Sequence, residues 1–162
     1  MSVTALATAP ITTLDTTTLD TNKNVIREFV AALNDRSGER WVPLLSPGVI
    51  DHNKVIFGEE DAPGAAIEGF RLQLAAFSTE GEEDGFHIQQ LIAEGEEVVA
   101  RLRVTGVHTG AHARMPQPTG RRCDVEQIWI FTVRDGRIAE IRAVSDRLGM
   151  FIQLGWDWPT MD

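Results

Sequence analysis

A short polar segment, Asp51-His52-Asn53, supplies the best acid–base groups of this chain and lies between two apolar runs. Proton transfer near neutral pH needs a group that titrates near ~7, which histidine provides directly and a carboxylate provides when burial raises its pKa. Alternation in an extended segment puts Asp51 and Asn53 on one side and His52 on the other. We therefore expect only one of Asp51 and His52 to enter a pocket, and the plain alternative is a turn residue and a structural histidine.

Two more polar residues lie where they could reach over the mouth of a pocket. Asp146 opens the last predicted helix, and His108 belongs to a His-Thr-Gly loop. We count Asp146 with Asp51 and His52 as candidate catalytic residues, and His108 as a candidate substrate-binding residue. The alternatives are charge compensation at a helix N-terminus for Asp146 and a structural hydrogen bond for His108.

An alternating strand forms the expected wall of that pocket. Gln127, Trp129 and Phe131 share one face, and Ala143 faces the same cavity from the next strand. The wall is apolar apart from one amide, so it suits a flat aromatic or polycyclic ligand that stacks on Trp129. A core aromatic and a buried amide tied to backbone are the alternatives for Trp129 and Gln127. The substrate-binding set also contains three further aromatic residues: Trp41, Phe57 and Phe77.

The elements that must position these residues change character along the chain. Apolar residues at helical spacing predict helices first, at 22–34, 39–45 and 65–78, and a short one at 145–154. Period-two patterns predict strands at 86–92, 98–105, 127–132 and 138–144, and Asp135-Gly136 is a type I′ hairpin signal. Helices followed by long antiparallel strands indicate an α+β fold in which a curved sheet packs on helices and leaves a cavity.

Composition narrows the domain organisation and the partners. The 162 residues fit one domain over 22–162, preceded by a Thr-rich tail or arm over 1–21. A net charge of −9 argues against a nucleic acid or an anionic membrane as partner and fits a protein that handles neutral or weakly charged small molecules. Together with the apolar wall, this indicates a small hydrophobic molecule as substrate. We find no bilayer-spanning run and no signal peptide. Cys123 is the single cysteine, which excludes an internal disulfide and agrees with a cytoplasmic location.

The four histidines show no HExxH spacing, and no CxxC motif is present, so the sequence predicts no dedicated metal site.

Three segments carry a resemblance to a known family: GVHTGAHARMPQPTGR, EQIWIFTVRDGRIAEI and SDRLGMFIQLG. They resemble the SnoaL-like polyketide cyclases, a branch of the nuclear-transport-factor-2-like superfamily. The segments VIREFVAALND and VIDHN fit as well, so the resemblance extends over residues 22–159.

The resemblance implies a cone-shaped α+β barrel, with a curved antiparallel or mixed sheet wrapped around N-terminal helices, a hydrophobic pocket and a homodimer. It also implies ring closure by an intramolecular aldol reaction without a metal or a cofactor. Relatives with the same fold include polyketide hydroxylases, and more distant ones open epoxides or isomerise double bonds, so the fold alone does not fix the reaction.

The family's acid–base residues do not all carry over. By the resemblance, the carboxylate on the last strand falls on Ala143, the histidine on Trp129 and an asparagine on Asp51, while the glutamine is retained at Gln127. The chain is therefore a member with altered chemistry or one in which the carboxylate has moved.

Three functions remain open at this point. The first is a cofactor-independent enzyme of secondary metabolism that cyclises or isomerises a polyketide-like molecule, with Asp51 or His52 transferring the proton. The second is a hydroxylase of an aromatic polyketide, and the third is a small-molecule-binding module without catalysis. A pocket with a carboxylate or a histidine beside the ligand favours the first, whereas a pocket with Gln127 as its one polar group favours the others.

Overall fold

A computed structural model describes residues 16–53, 64–79, 81–112 and 115–156 of the chain. Its helices are α1 (Thr16–Asn34), a 3-10 turn (Val42–Leu44), α2 (Ala65–Ala76) and α3 (Arg147–Gln153). Its strands are β1 (Leu45–Asp51), β2 (Phe77–Ser78), β3 (Gly85–Glu94), β4 (Glu97–His108), β5 (Arg122–Arg134) and β6 (Arg137–Ser145). None of the described helices combines the length and the apolar character that crossing a bilayer requires.

The strands form one mixed sheet, in the order β1-β6-β5-β4-β2, and β3 also pairs with β4. β1 runs parallel to β6 and the other pairs are antiparallel. The sheet curls strongly into a half-barrel, and its inward side chains share one core with the helices. The predicted α+β cone fold is confirmed.

Helix α1 carries the predicted apolar stripe but begins earlier than predicted. Its buried face comprises Val25, Ile26, Phe29, Val30 and Leu33. The helix starts at Thr16 instead of 22, so Thr21 lies inside it, and its hydroxyl donates to the carbonyl of Thr17 at 2.8 Å. Threonine is a weak helix former, yet such a bond one turn back satisfies its hydroxyl inside a helix. Residues 16–21 of the predicted tail thus belong to α1, and residues 1–15 lie outside the described part.

The short helix predicted at 39–45 is wrong. A 3-10 turn occupies Val42–Leu44, and Leu45 already pairs with Ile138 as the first residue of β1. Pro43 has no N–H to donate within an α-helix, and strand pairing with β6 takes over the residues that follow. The chain therefore reaches Asp51 along a sheet edge rather than from a helix.

The hairpin between β5 and β6 is the turn that the sequence predicts. Asp135 and Gly136 have φ angles of 51° and 71°, as a type I′ turn requires. The turn sets the first pairs of the two strands, and an irregularity between Thr132 and Val133 then shifts the register by one residue, which places Trp129 opposite Ala143. The pocket wall is therefore assembled by one tight turn and one irregularity in the ladder.

The loop after β4 is fastened to the end of helix α2. The backbone N–H groups of Thr109 and Gly110 donate to the carbonyl of Ala76 at 3.1 and 3.0 Å. A Cβ at Gly110 would overlap the carbonyl oxygen of Ala75 and lie 3.0 Å from its carbonyl carbon. Only glycine lets this loop approach so closely, and the loop carries His112 to the cavity described below.

This close approach predicts the effect of a single methyl group. Gly110→Ala should lower the free energy of unfolding by about 1–3 kcal/mol, because the backbone of α2 cannot yield as a flexible side chain does. Urea unfolding followed by circular dichroism measures the change. Gly38→Ala is the matched control, since a Cβ there meets open space, and it should stay within about 0.5 kcal/mol of the parent. Equal losses in the two variants would contradict the packing argument.

Candidate functional site

A cavity of about 60 Å³ opens between helix α2, the end of β1, the β5–β6 wall and helix α3. Its polar lining is Asp51, Asn53, Gln73, His112, Gln127, Ser145, Asp146 and Arg147. Its apolar lining is Phe70, Phe77, Trp129, Ile141, Ala143 and Met150. A second cavity of about 30 Å³ shares Gln73, Phe77, Gln127 and Met150 with the first, so the two are neighbours separated by these side chains.

The predicted wall is present, and a hydrogen bond joins the indole of Trp129 to the amide of Gln127. The indole N–H of Trp129 donates to the amide oxygen of Gln127 at 2.6 Å, and both residues are buried. Indole nitrogen can only donate, so the amide oxygen must be the atom that it meets. No described residue accepts a hydrogen bond from the amide nitrogen of Gln127, which leaves a donor for a ligand.

Asp51 enters the cavity, held by its neighbour Asn53. One carboxylate oxygen of Asp51 accepts from the backbone N–H and the side-chain amide of Asn53, at 2.8 and 2.7 Å. Asn53 in turn accepts from the backbone N–H of Ala143 at 2.9 Å. No described donor reaches the other carboxylate oxygen of Asp51. The end of β1 is thereby fastened to β6, with one carboxylate oxygen available to a ligand.

His52 points away from the cavity, as alternation predicts for one member of the pair. Its Nε2 lies 3.0 Å from a carboxylate oxygen of Glu140 on the outer side. The hydrogen bond from His52 lowers the pKa of Glu140, with help from the hydrogen bond and charge of Arg134 and the charge of Arg142. His52 thus belongs to a surface ion network, and its predicted catalytic role finds no geometric support in the cavity.

Asp146 lines the cavity and also caps helix α3. Its Oδ1 accepts from the backbone N–H of Gly149 at 2.8 Å. A Cβ at Gly149 would overlap this carboxylate, so the glycine of the SDRLG segment keeps the cap in place. The position of Asp146 is compatible with both interpretations from the sequence, a helix cap and a polar group at the pocket mouth.

Two other predicted substrate-binding residues lie in the core instead of at the cavity surface. Trp41 and Phe131 belong to the core: Trp41 packs on Phe70 at a ring distance of 5.7 Å, and Phe131 packs behind Trp129 at 5.7 Å. Phe57 lies outside the described residues. Phe77 and Ala143 line the cavity as predicted.

His108 is fully buried behind Phe77, with ring centroids 5.5 Å apart. The backbone N–H of Thr119 donates to its Nδ1 at 3.3 Å, so this nitrogen is the unprotonated one. Burial lowers the pKa of His108, opposed by the carbonyls of Gly110 and Met115. His108 is therefore a neutral structural histidine, and His112 takes the place at the cavity.

Sequence reasoning missed several lining residues. Phe70 and Gln73 lie one turn apart on α2, and a polar Gln73 beside an apolar stripe was a signal for a pocket. Met150 covers the cavity from α3. His112 was passed over for His108 because spacing alone cannot tell which side of a loop faces inward.

Arg147 is the most consequential of the missed residues. It is half-buried at the cavity, and no described carboxylate oxygen lies within 4.0 Å of its guanidinium group. Burial lowers the pKa of Arg147, and the negative charge of Asp51 acts in the opposite direction. The cavity therefore contains a cation and an anion that are not in contact.

The described residues contain no group of three His, Cys, Asp or Glu side chains that could hold a metal ion. The groups available to a ligand include the carboxylate of Asp51, the amide of Gln127 and the guanidinium of Arg147. They can abstract a proton, donate a hydrogen bond and bind a negatively charged oxygen.

Comparison with known proteins agrees with this architecture. A family model for SnoaL-like polyketide cyclases matches residues 23–154. The aklanonic acid methyl ester cyclase DnrD of Streptomyces peucetius is 34% identical over 88% of this chain and 96% of its own length. The nogalonic acid methyl ester cyclase of Streptomyces nogalater is 32% identical over 71% of this chain and 79% of its own. Among solved structures, TsrD of Streptomyces laurentii is 26% identical with a TM-score of 0.70, covering 88% of this chain and 98% of TsrD.

The burial of His108 predicts a pH dependence of stability. Since the folded chain holds the His108 proton less firmly than the unfolded chain, the unfolded state binds more protons below the usual histidine pKa of about 6.5. The contribution of His108 is complete above about pH 7 and is lost as the pH falls toward its lowered folded value. In urea unfolding between about pH 5 and 7, the free energy of unfolding of His108→Gln should change less with pH than that of the parent. Equal changes in the two proteins would contradict this role of His108.

Proposed function

The chain belongs to the SnoaL-like polyketide cyclase family, and we propose that it closes a ring in a polyketide methyl ester of the kind that its relatives cyclise. It is an enzyme of secondary metabolism, since its curated relatives are cyclases of aklanonic and nogalonic acid methyl esters. The finer proposal is that Asp51 is the proton-transferring residue and that the β5–β6 wall holds a polycyclic substrate.

The observation that carries the proposal is the place of the Asp51 carboxylate. The family resemblance puts a carboxylate at the position of Ala143, and this chain has a methyl group there. Asp51 pairs with Ile141 in the strand register, and Asn53 bonds the backbone of Ala143. A carboxylate from β1 therefore borders the same part of the cavity that a side chain at 143 would reach from β6.

Acid–base chemistry at this position accounts for ring closure. Asp51 takes a proton from a carbon atom between two carbonyl groups, and the C–H electron pair becomes an enolate. The enolate carbon attacks a ketone of the same molecule, a C–C bond forms, and the resulting alkoxide takes the proton back from Asp51. The sequence of steps is redox-neutral and leaves the molecular formula unchanged, so proton transfer by one side chain suffices and no cofactor has to take part.

The wall positions the substrate for this transfer. Trp129 offers an aromatic surface whose tilt is set by Phe70 and Phe86, each at a ring distance of 5.8 Å. Gln127, oriented by the indole N–H, presents its amide nitrogen to a substrate carbonyl. Holding the reacting carbon and ketone together removes much of the entropic cost of ring closure.

We also propose that the enzyme is a homodimer and works in the cytoplasm. Ile128 and Val144 face each other on the outer side of β5–β6 and are 42% and 73% exposed. The Arg101–Glu126 ion pair borders them, giving an apolar centre with a polar edge, as in many interfaces. A second copy related by a two-fold axis would cover this patch. The unpaired, buried Cys123 is in keeping with a reducing compartment.

Substitution at Asp51 tests the proposed reaction. With aklanonic and nogalonic acid methyl esters as substrates, Asp51→Asn should lower kcat/KM by about 100-fold or more, because the amide keeps the contact to Asn53 but cannot take a proton. His52→Gln, on the opposite side of the same segment, should stay within about threefold. Comparable losses in both variants, or an active Asp51→Asn enzyme, would remove Asp51 from the mechanism.

Mass spectrometry of the product separates cyclisation from the hydroxylase alternative. Ring closure leaves the mass of the substrate unchanged, whereas hydroxylation adds one oxygen atom. A product heavier by oxygen would overturn the proposal in favour of hydroxylation, and binding without turnover of either ester would favour a binding module.

The interface is tested separately. Val144→Glu should convert the dimer to a monomer in sedimentation velocity, because a buried carboxylate at a two-fold contact meets its own copy. Leu72→Glu, at an exposed position of α2, should leave the dimer intact. A monomeric parent protein, or equal behaviour of both variants, would refute this interface.

A further inference from the structure

We propose that Arg147 binds a negatively charged oxygen of the ligand, and that in ring closure this oxygen is the enolate formed when Asp51 removes the proton. The binding part stands on the cavity itself, and the enolate part rests on the proposed function. The inference gives the cavity a second charged group with a role distinct from that of the base.

The first step is the unusual position of the guanidinium group. Arg147 is half-buried at the cavity, and within the described chain it makes neither a hydrogen bond nor an ion pair. A cation removed from water without a partner is costly to the fold. By contrast, the guanidinium group of Arg36, which lines the second cavity, has hydrogen-bond partners. It donates to the carbonyls of Leu74 and Phe77 at 2.6 and 3.0 Å.

The second step is the arrangement of the charges that face Arg147. Asp51 lies near enough to act on it electrostatically but not within 4.0 Å. Asp146 directly precedes Arg147, and one of its carboxylate oxygens accepts a hydrogen bond from the backbone N–H of Gly149 as a helix cap. Neither carboxylate neutralises the guanidinium by direct contact, so it remains available to an anionic group in the cavity.

The third step is the match between the guanidinium and an enolate. Arginine presents parallel N–H donors in a plane, which suits two coplanar oxygens. A carbon between two carbonyl groups loses its proton to give such a pair of oxygens, with the negative charge shared between them. Proton transfer to Asp51 then moves one negative charge from the carboxylate to the enolate, on the cation's side of the cavity, and the net charge of the site does not change.

This stabilisation is specific to the charged intermediate. Before proton transfer, Arg147 meets neutral carbonyl oxygens; afterwards it meets an anion, so its hydrogen bonds become charge-assisted on both sides and stronger. An interaction that grows along the reaction lowers the barrier rather than merely tightening substrate binding. Loss of Arg147 should therefore reduce kcat more than it raises KM.

Binding of a matched pair of flat aromatic probes tests the anion site without any turnover. Isothermal titration of the full chain with anthraquinone-2-carboxylate and with its uncharged carboxamide should show about a tenfold preference for the carboxylate. Arg147→Gln should abolish the preference, and Arg147→Lys should retain part of it. Arg40→Gln, at an exposed arginine paired with Asp35, should leave it unchanged, and circular dichroism verifies that each variant is folded.

The outcomes separate this inference from the proposed function. If the parent does not bind the carboxylate, or if Arg147→Gln keeps the preference, the anion site is overturned even when ring closure is observed. If the preference depends on Arg147 while neither methyl ester is cyclised, the anion site stands and the proposed function fails. If Arg147→Gln loses the preference but keeps the parent's kcat, the enolate role is overturned and only ligand binding by Arg147 remains.

Discussion

The hydrogen bond from the backbone of Ala143 to the side chain of Asn53 is the contact on which the site depends. β1 is an edge strand, and beyond its end the backbone N–H of His52 still donates to the carbonyl of Ile141 at 2.9 Å. The side chain of Asn53 adds a second bond from this segment to β6. Asn53 uses its amide oxygen for Ala143 and its amide nitrogen for Asp51, so one side chain joins the carboxylate to the wall. A satisfied network of this kind restricts the carboxylate to one place at the cavity, which is the preorganisation that proton transfer requires.

The parts of the fold that follow from local rules were predictable from the sequence. The Asp135-Gly136 turn and the alternation of Gln127, Trp129 and Phe131 depend on backbone sterics and on the period of a strand, and both are confirmed. The start of α1 was not predictable, because residues 16–21 have no apolar periodicity and are mostly exposed in the structure. The 3-10 turn before β1 was not predictable, because strand pairing decides where β1 begins. Leu45 is apolar in either case, and only its partner Ile138 makes it a strand residue.

In the candidate site, too, local rules predict some positions and three-dimensional packing decides the others. Alternation separated Asp51 from His52, since it needs only an extended backbone. Three-dimensional packing was needed to see that His108 lies behind Phe77 and that Phe131 lies behind Trp129. Trp129 itself combines two roles that the sequence presents as alternatives: it contacts core aromatic rings and also borders the cavity, so its ring is held rigidly where a ligand would stack.

The proposed move of the base from β6 to β1 has a consequence for the charges of the cavity. A carboxylate at position 143 would project from the same strand pair as Trp129, among apolar side chains and Gln127. At position 51 the carboxylate instead interacts electrostatically with Arg147 across the cavity, and its charge reduces the cost of burying the guanidinium group. Their separation matters as much as their attraction: a direct ion pair would satisfy both groups and leave neither for the substrate. A base and a cation that attract without touching can each act on the same ligand, one on its proton and the other on the charge that remains.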